Sequence, residues 1–305
     1  MRNNNLLLSA DNNGNTGVLQ RIISRARNFA RHSVLSAAAL TVGAASLLAP
    51  ASAQAELSSQ NLLVTVSLAP PFVTIKHNIN APEGVDVALV KELQRRTGFT
   101  TDDGVYDLMS FGSMMELGRS GQADIVAGAL TASEERARFY EMTEPYVYNS
   151  VCIVTRKGDN IENLDDLAGR TLAVQNGTDM SAIIGNISVK LHEEPTNFMT
   201  FYAVSRGLAD ALIIDDIIAR EYIAVWPEAN LQVSGYLPDS EGGIALFFKK
   251  DSPNSKVLKA TFDQMMADGT VDRIVREELR NYFNSQSAHA NAHLASEING
   301  RNIKH

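Results

Sequence analysis

Four places in the chain put polar side chains where an apolar run ends, and chemistry is possible at each. After Ala123–Gly128 comes Ala129-Leu130-Thr131-Ala132-Ser133-Glu134-Glu135-Arg136. Ser133 suits a helix N-cap and Glu134 and Glu135 suit a first helical turn, which leaves Thr131 and Arg136 without a local reason. An arginine fork just past the carboxyl end of a strand either holds a carboxylate in the crevice of an open α/β sheet or makes a surface salt bridge. Asn176-Gly177-Thr178-Asp179 follows the run Thr171–Gln175. It is either a plain capped turn or a glycine turn whose free N–H groups hold an anion. Asp215 directly follows Ala211–Ile214, where a carboxylate either caps the next helix or pairs with a ligand cation. Phe72, after Pro70-Pro71, and Phe111, ahead of a helical pattern, belong either to a pocket wall or to the core.

Patterns for covalent, phosphate or metal chemistry are missing. There is no Gly-x-Gly-x-x-Gly, no Gly-Lys-Ser/Thr phosphate loop, no His-Glu-x-x-His, no Gly-x-Ser-x-Gly and no Cys-x-x-Cys. The six histidines do not gather at ligand spacing within the periodic part of the chain. No cofactor and no metal is expected. The one cysteine, Cys152, sits in Val151-Cys152-Ile153-Val154, which excludes an intrachain disulfide and suits a buried thiol.

The elements that must position these residues alternate. A β-branched run at Asn61–Ser67 precedes an amphipathic pattern at Asp86–Thr97 that ends in Arg95-Arg96 and Gly98. Further helices are expected at Ser113–Arg119 and Ser133–Phe139, with strands at Ala123–Gly128 and Ser150–Thr155. The alternation restarts after Lys157-Gly158-Asp159, with strands at Thr171–Gln175, Ala211–Ile214 and Leu231–Ser234 and a helix at Asp216–Ile223. Gly242-Gly243 leads into a last strand, Ile244–Phe248, and helices at Lys256–Met266 and Val271–Phe283 close the fold. Such alternation predicts an α/β architecture with largely parallel sheets.

The chain has 305 residues, 45% of them hydrophobic and 20% charged, enough for one large domain or two smaller ones. Residues 1–32 are polar and basic, Ser33–Pro50 is apolar and Ala-rich, and Ala51-Ser52-Ala53 overlaps a second small-x-small pattern at Ala53-Gln54-Ala55. Residues 1–53 read as a secretory signal peptide, so the mature protein is expected free in the periplasm. Its removal takes away five arginines and one aspartate and moves the net charge from −8 to −12. A chain this acidic is a poor partner for nucleic acid or anionic lipid. Residues 285–305 are polar and rich in Ala, Asn and His and read as a disordered tail.

Taken in order, the motifs resemble the periplasmic amino-acid-binding proteins of ATP-driven uptake systems, the family 3 solute-binding proteins. They include Pro71-Phe72, Gly84-Val85-Asp86-Val87, Gly121-Gln122-Ala123-Asp124-Ile125, Thr131 with Ser133-Glu134-Glu135-Arg136-Ala137, and Glu144-Pro145-Tyr146. Asn163-Leu164-Asp165-Asp166-Leu167-Ala168-Gly169, Val174-Gln175-Asn176-Gly177-Thr178, Gly207-Leu208-Ala209-Asp210-Ala211 with Asp215, and Met266-Ala267-Asp268-Gly269-Thr270 continue the series. The resemblance implies a type II periplasmic binding protein fold, two discontinuous α/β lobes joined by two hinge strands. Lobe 1 would take residues 56–147 and 244–283, and lobe 2 residues 149–239, with hinges near Tyr146–Ser150 and Ser240–Gly243.

The resemblance also implies roles. Arg136 would grip the ligand carboxylate, aided by Thr131 on its own lobe and by Thr178 and the Asp179 N–H on the other. Asp215 would pair with the ligand ammonium, to which the Ala129 carbonyl would also be an acceptor, and Phe72 and Phe111 would line the side-chain pocket. The ligand would be an α-amino acid or close analogue, the partner an inner-membrane ABC permease, and the protein a non-enzymatic monomer. Two alternatives share the fold: a cyclohexadienyl or arogenate dehydratase, with Glu134, Glu135 and Asp179 as the acids nearest the cleft, and a sensory or ligand-gating module.

Overall fold

The computed structural model describes residues 57–178 and 181–285. The expected signal peptide, Asp179, and all of the expected tail after Ser285 lie outside the described residues.

The first lobe begins β1 (Val64–Val66), α1 (Val85–Thr97), β2 (Asp107–Leu108), α2 (Phe111–Arg119), β3 (Ile125–Thr131), β4 (Tyr140–Met142) and β5 (Val147–Asn149). The chain then builds β6 (Val151–Arg156), β7 (Thr171–Gln175), α3 (Ser181–Ile184), β8 (Lys190–Glu194), α4 (Asn197–Ser205), β9 (Ala211–Asp215), α5 (Asp216–Val225) and β10 (Leu231–Tyr236). It returns through β11 (Gly242–Lys249), α6 (Pro253–Ala267) and α7 (Thr270–Glu278). One sheet runs β2-β1-β3-β11-β4 with β5 also on β11, and the other runs β10-β6-β9-β7-β8. These are the cores of the two lobes of an α/β fold.

The central strands β1, β3, β6, β9 and β11 read as nearly continuous apolar runs because most of their residues are buried. Val64, Val66, Ile125, Leu89, Leu93, Phe248 and Phe262 are buried in the first lobe, and Cys152, Val154, Phe201, Leu212 and Ile217 in the second. Helix α1 stops at Gly98, which takes φ 78° and donates its N–H to the Gln94 carbonyl, with Arg95 and Arg96 in the last turn. It starts at Gly84, where only glycine fits. Its φ is +112°, and a Cβ there would stand 2.5 Å from the Phe72 carbonyl oxygen.

Two expectations are corrected. The sheets are mixed: β11 runs antiparallel to β3, β4 and β5, and β6 antiparallel to β9 and β10. The crossings explain this. The βα units of each lobe bring their strands' carboxyl ends to one edge, whereas β6 and β11 enter their lobes from that same edge, so each starts where its neighbour ends. Val151 faces Asp215, and Ile244 faces Thr131. The helix expected at Ser133–Phe139 is a single 3-10 turn, Arg136–Arg138. Too little chain is available for more, because Tyr140 already pairs with Lys249 in the sheet.

The strand β5 and the start of β11 form the antiparallel pair between the lobes, Val147 facing Ile244 and Asn149 facing Gly242. The β5 crossing is pinned at both ends. Tyr146 gives its hydroxyl to the buried Asp86 on α1. At the other end Asn149, also buried, donates through Nδ2 to Asp215 Oδ1 at 2.6 Å, and its Oδ1 accepts the Ile217 N–H at 3.0 Å.

Candidate functional site

The carboxyl ends of β3, β7 and β9 open onto one cavity of about 410 Å³, large enough for a small metabolite. Arg136, Thr131, Ala129 and Phe111 line it from the first lobe, and Asp215 and Thr178 from the second. Six of the eight residues singled out in the sequence are therefore brought together. Phe72 is not. It has no exposed surface, packs 6.5 Å from the Tyr146 ring in the first lobe's core, and does not line the cavity. The turn after Pro70-Pro71 folds back on itself, the Phe72 N–H bonding to the Ala69 carbonyl, and this turns the ring inward. Asp179 lies outside the described residues.

Each functional group is held by its own element. Arg136 sits on the turn that Ser133 caps: Ser133 Oγ accepts the Arg136 N–H at 3.2 Å. One guanidinium nitrogen, Nη1, donates to the Thr131 carbonyl at 2.8 Å, and the group lies 5.8 Å from the Phe247 ring centre. Burial draws its pKa down, and the nearby Tyr140 and Asp215 draw it back up, but a guanidinium stays charged in any case. Unused donors of the fork remain for a planar anion.

Asp215 ends β9 and precedes α5, yet its carboxylate does not cap that helix. Asn149 takes over the helix terminus by accepting the Ile217 N–H, which frees Asp215 to face the cleft. Burial pushes the Asp215 carboxyl up to about 6, against the opposing pull of the Asn149 amide and of Arg136. A carboxylate so placed gains from any cation that enters.

Ala129 is held at φ 58°, unusual for a residue with a side chain, and its N–H bonds to Asp86 Oδ2 at 2.9 Å. Burial also pushes Asp86 up to about 6, although Tyr146 and backbone N–H groups pull the other way. This buried carboxylate shapes the end of β3 from below and ties it to the crossing strand.

Asp86 and Asn149 were not singled out in the sequence. Asp86 carried a signal, since an acid at this position falls on the stripe shared by Val90 and Leu93, the apolar face of α1. Asn149 carried none, because its partners Asp215 and Ile217 are more than sixty positions away. Among the described residues no group of three or more His, Cys, Asp or Glu side chains is gathered to hold a metal.

The lobes meet at two glycines. Gly177, after β7, has φ +89°, and a Cβ there would lie 2.7 Å from the Gly112 Cα on α2. A Cβ on Gly112 would find only ordinary contacts, the nearest at 3.7 Å. Gly177→Ala is therefore expected to hold the lobes apart and weaken ligand binding about tenfold or more, through a clash plus left-handed strain on the order of 1 kcal/mol. Gly112→Ala should bind like wild type. Calorimetric titration of the two variants side by side checks this, and equal affinities would count against the seam.

Comparison with known proteins accounts for the geometry. Residues 62–281 match the profile of the bacterial extracellular solute-binding proteins, family 3. The chain belongs to this family. The Vibrio harveyi protein PatH, named as an amino-acid ABC transporter-binding protein, is 28% identical over 220 residues, 67% of this chain and 82% of PatH. The arginine-binding extracellular protein ArtP of Bacillus subtilis is 28% identical over 202 residues, 64% of this chain and 76% of ArtP. Among solved structures, an ancestral arginine-binding protein bound to arginine superposes with a TM-score of 0.64 at 25% identity, covering 71% of this chain and 97% of that one. The family 3 solute-binding fold of this chain thus places its cavity between two lobes, at the strand ends where α/β sheets hold ligands.

Proposed function

We propose that this protein captures an α-amino acid in the cleft between its lobes and delivers it to the permease of an ABC transporter. One observation carries the reading: Arg136 and Asp215, opposite in charge and on opposite lobes, line the same cavity. A zwitterion offers a carboxylate to the first and an ammonium to the second, so only the closed form engages both charges, and the ligand shifts the population toward it. Thr131 and Thr178 add hydroxyl and backbone contacts to the carboxylate, and the Ala129 carbonyl accepts from the ammonium. The ligands and transporters named for the relatives support the same reading.

In this reading the lobes are 56–147 with 244–283, and 149–239, hinged at β5 and the start of β11. Residues 1–53 direct export and are removed, and the mature protein works in the periplasm as a monomer, as a binding protein and not an enzyme. Its acidity keeps it off nucleic acid.

Thermal unfolding of the purified protein in the presence of each proteinogenic amino acid tests the proposal. A specific ligand at a hundredfold excess over its Kd should stabilise the fold by about 2.7 kcal/mol. A melting temperature unmoved by every amino acid, and moved by prephenate, would favour the dehydratase alternative instead.

A further inference from the structure

We infer that the ligand of this cleft carries an uncharged, largely apolar side chain. The inference rests on the amino-acid reading of the site and adds the class of side chain. Among the described residues, the charged side chains lining the cavity are Glu135, Arg136 and Asp215. Arg136 and Asp215 face the two charges that every α-amino acid has. Glu135 is exposed and adjoins Arg136 on the same turn, where its charge bears on the guanidinium. It therefore stands at the carboxylate end of the site.

The three polar and apolar arms of an amino acid diverge from one carbon. With the carboxylate toward Arg136 and the ammonium toward Asp215, the third arm is left with the remaining wall. That wall is uncharged among the described residues: Leu68 and Phe111 from the first lobe and Val174 and Ile183 from the second are apolar, and Gln175 and Asn197 add two neutral amides. Phe111 stands at the seam between the lobes, its Cδ1 3.6 Å from where a Gly177 Cβ would be. Closure thus brings apolar surface around the third arm. A lysine or arginine side chain placed there would lose its hydration without gaining a counter-charge from the described residues of that wall, a penalty that selects against it. A leucine, methionine or phenylalanine side chain gains from the same burial. The arginine named for two of the relatives is therefore not the ligand expected here.

Calorimetric titration of the purified protein with leucine, isoleucine, methionine and phenylalanine, and in parallel with arginine, lysine and glutamate, tests this. At least one of the neutral four should bind a hundredfold or more tighter than arginine or lysine. Leu68→Asp should gain at least tenfold in affinity for lysine and lose affinity for the neutral ligand, while Leu68→Asn should not gain lysine. Arginine or lysine binding wild type as tightly as the neutral amino acids would overturn the inference, and Glu135→Gln and Asp179→Asn would then show which acid serves the cation. If that binding still required Arg136, the amino-acid reading would stand and only the side-chain class would fall. Binding of no amino acid in either series would overturn both.

Discussion

Replacing Arg136 by alanine is expected to weaken amino-acid binding by at least about 2 kcal/mol, roughly thirtyfold in Kd. The variant removes the cation from a site that has already been arranged around it. In the native protein the guanidinium is steadied by the Thr131 carbonyl at 2.8 Å and by the Phe247 ring, so little freedom remains to be lost when a carboxylate docks. Without it, the ligand carboxylate would be drawn from water into a cleft whose remaining donors, among the described residues, are neutral. The fold itself should tolerate the change. Arg136 is desolvated, which lowers its pKa, so deleting the cation relieves one burial penalty while it removes a single hydrogen bond. Calorimetry should show the loss in affinity and a thermal scan a melting temperature close to that of wild type. A variant that misfolds would point to a structural role, and one that binds as well as wild type would remove Arg136 from the site.

Asp215 is expected to make binding depend on pH. Its carboxyl titrates at about 6 in the ligand-free protein, chiefly because burial disfavours the charged form. The ammonium needs the ionised carboxylate, so between pH 7 and pH 5 the Kd should rise about tenfold, following the fraction of Asp215 that has lost its proton. Asp215→Asn should flatten that profile and weaken binding at pH 7 by about 2 kcal/mol.

Stability should move the other way. An unfolded aspartate titrates near 3.9, below the folded value of about 6 for both Asp86 and Asp215. The native state therefore holds these protons more tightly. Stability from each group is fully present below about pH 4 and is lost as pH rises through 6, on the order of 2–3 kcal/mol per group. Asp215→Asn, whose amide can keep the bond with Asn149, is thus expected to stabilise the ligand-free protein at pH 7 while it binds poorly. Denaturant titrations at pH 5 and pH 7 check the sign. A variant less stable than wild type at pH 7 would contradict the cause given for the raised pKa.

Much of the site was legible because its residues sit where apolar runs stop. Thr131 and Arg136 stood out once Ser133 and the two glutamates were explained by their turn, and Asp215 stood out by following four apolar residues directly. The periodicity that marked these strands could not show their direction, since a buried strand has the same composition in either sense. That is why the alternation predicts largely parallel sheets, although β6 and β11 each enter their lobe from the cleft edge. Phe72 is ambiguous for a related reason: an aromatic side chain beside a turn suits a pocket wall and a core equally, and here the Phe72 and Val73 N–H groups both bond to the Ala69 carbonyl in the turn that leaves the ring buried. Asn149 was illegible because its role exists only across the hinge, where one amide satisfies the α5 terminus and steadies the Asp215 carboxylate together. The positions that sequence reading missed are those that couple the hinge to the site.

One ligand is expected to bridge the two lobes by its two charges. The direct test is calorimetry with the amino acid that most stabilises the protein, with its N-acetyl derivative and with its carboxamide, against wild type and Arg136→Ala. Blocking either end is expected to weaken binding to wild type at least about thirtyfold, and the carboxamide should lose little further in Arg136→Ala because it already lacks the charge that Arg136 meets. Blocked derivatives that bind wild type as tightly as the free amino acid would contradict it.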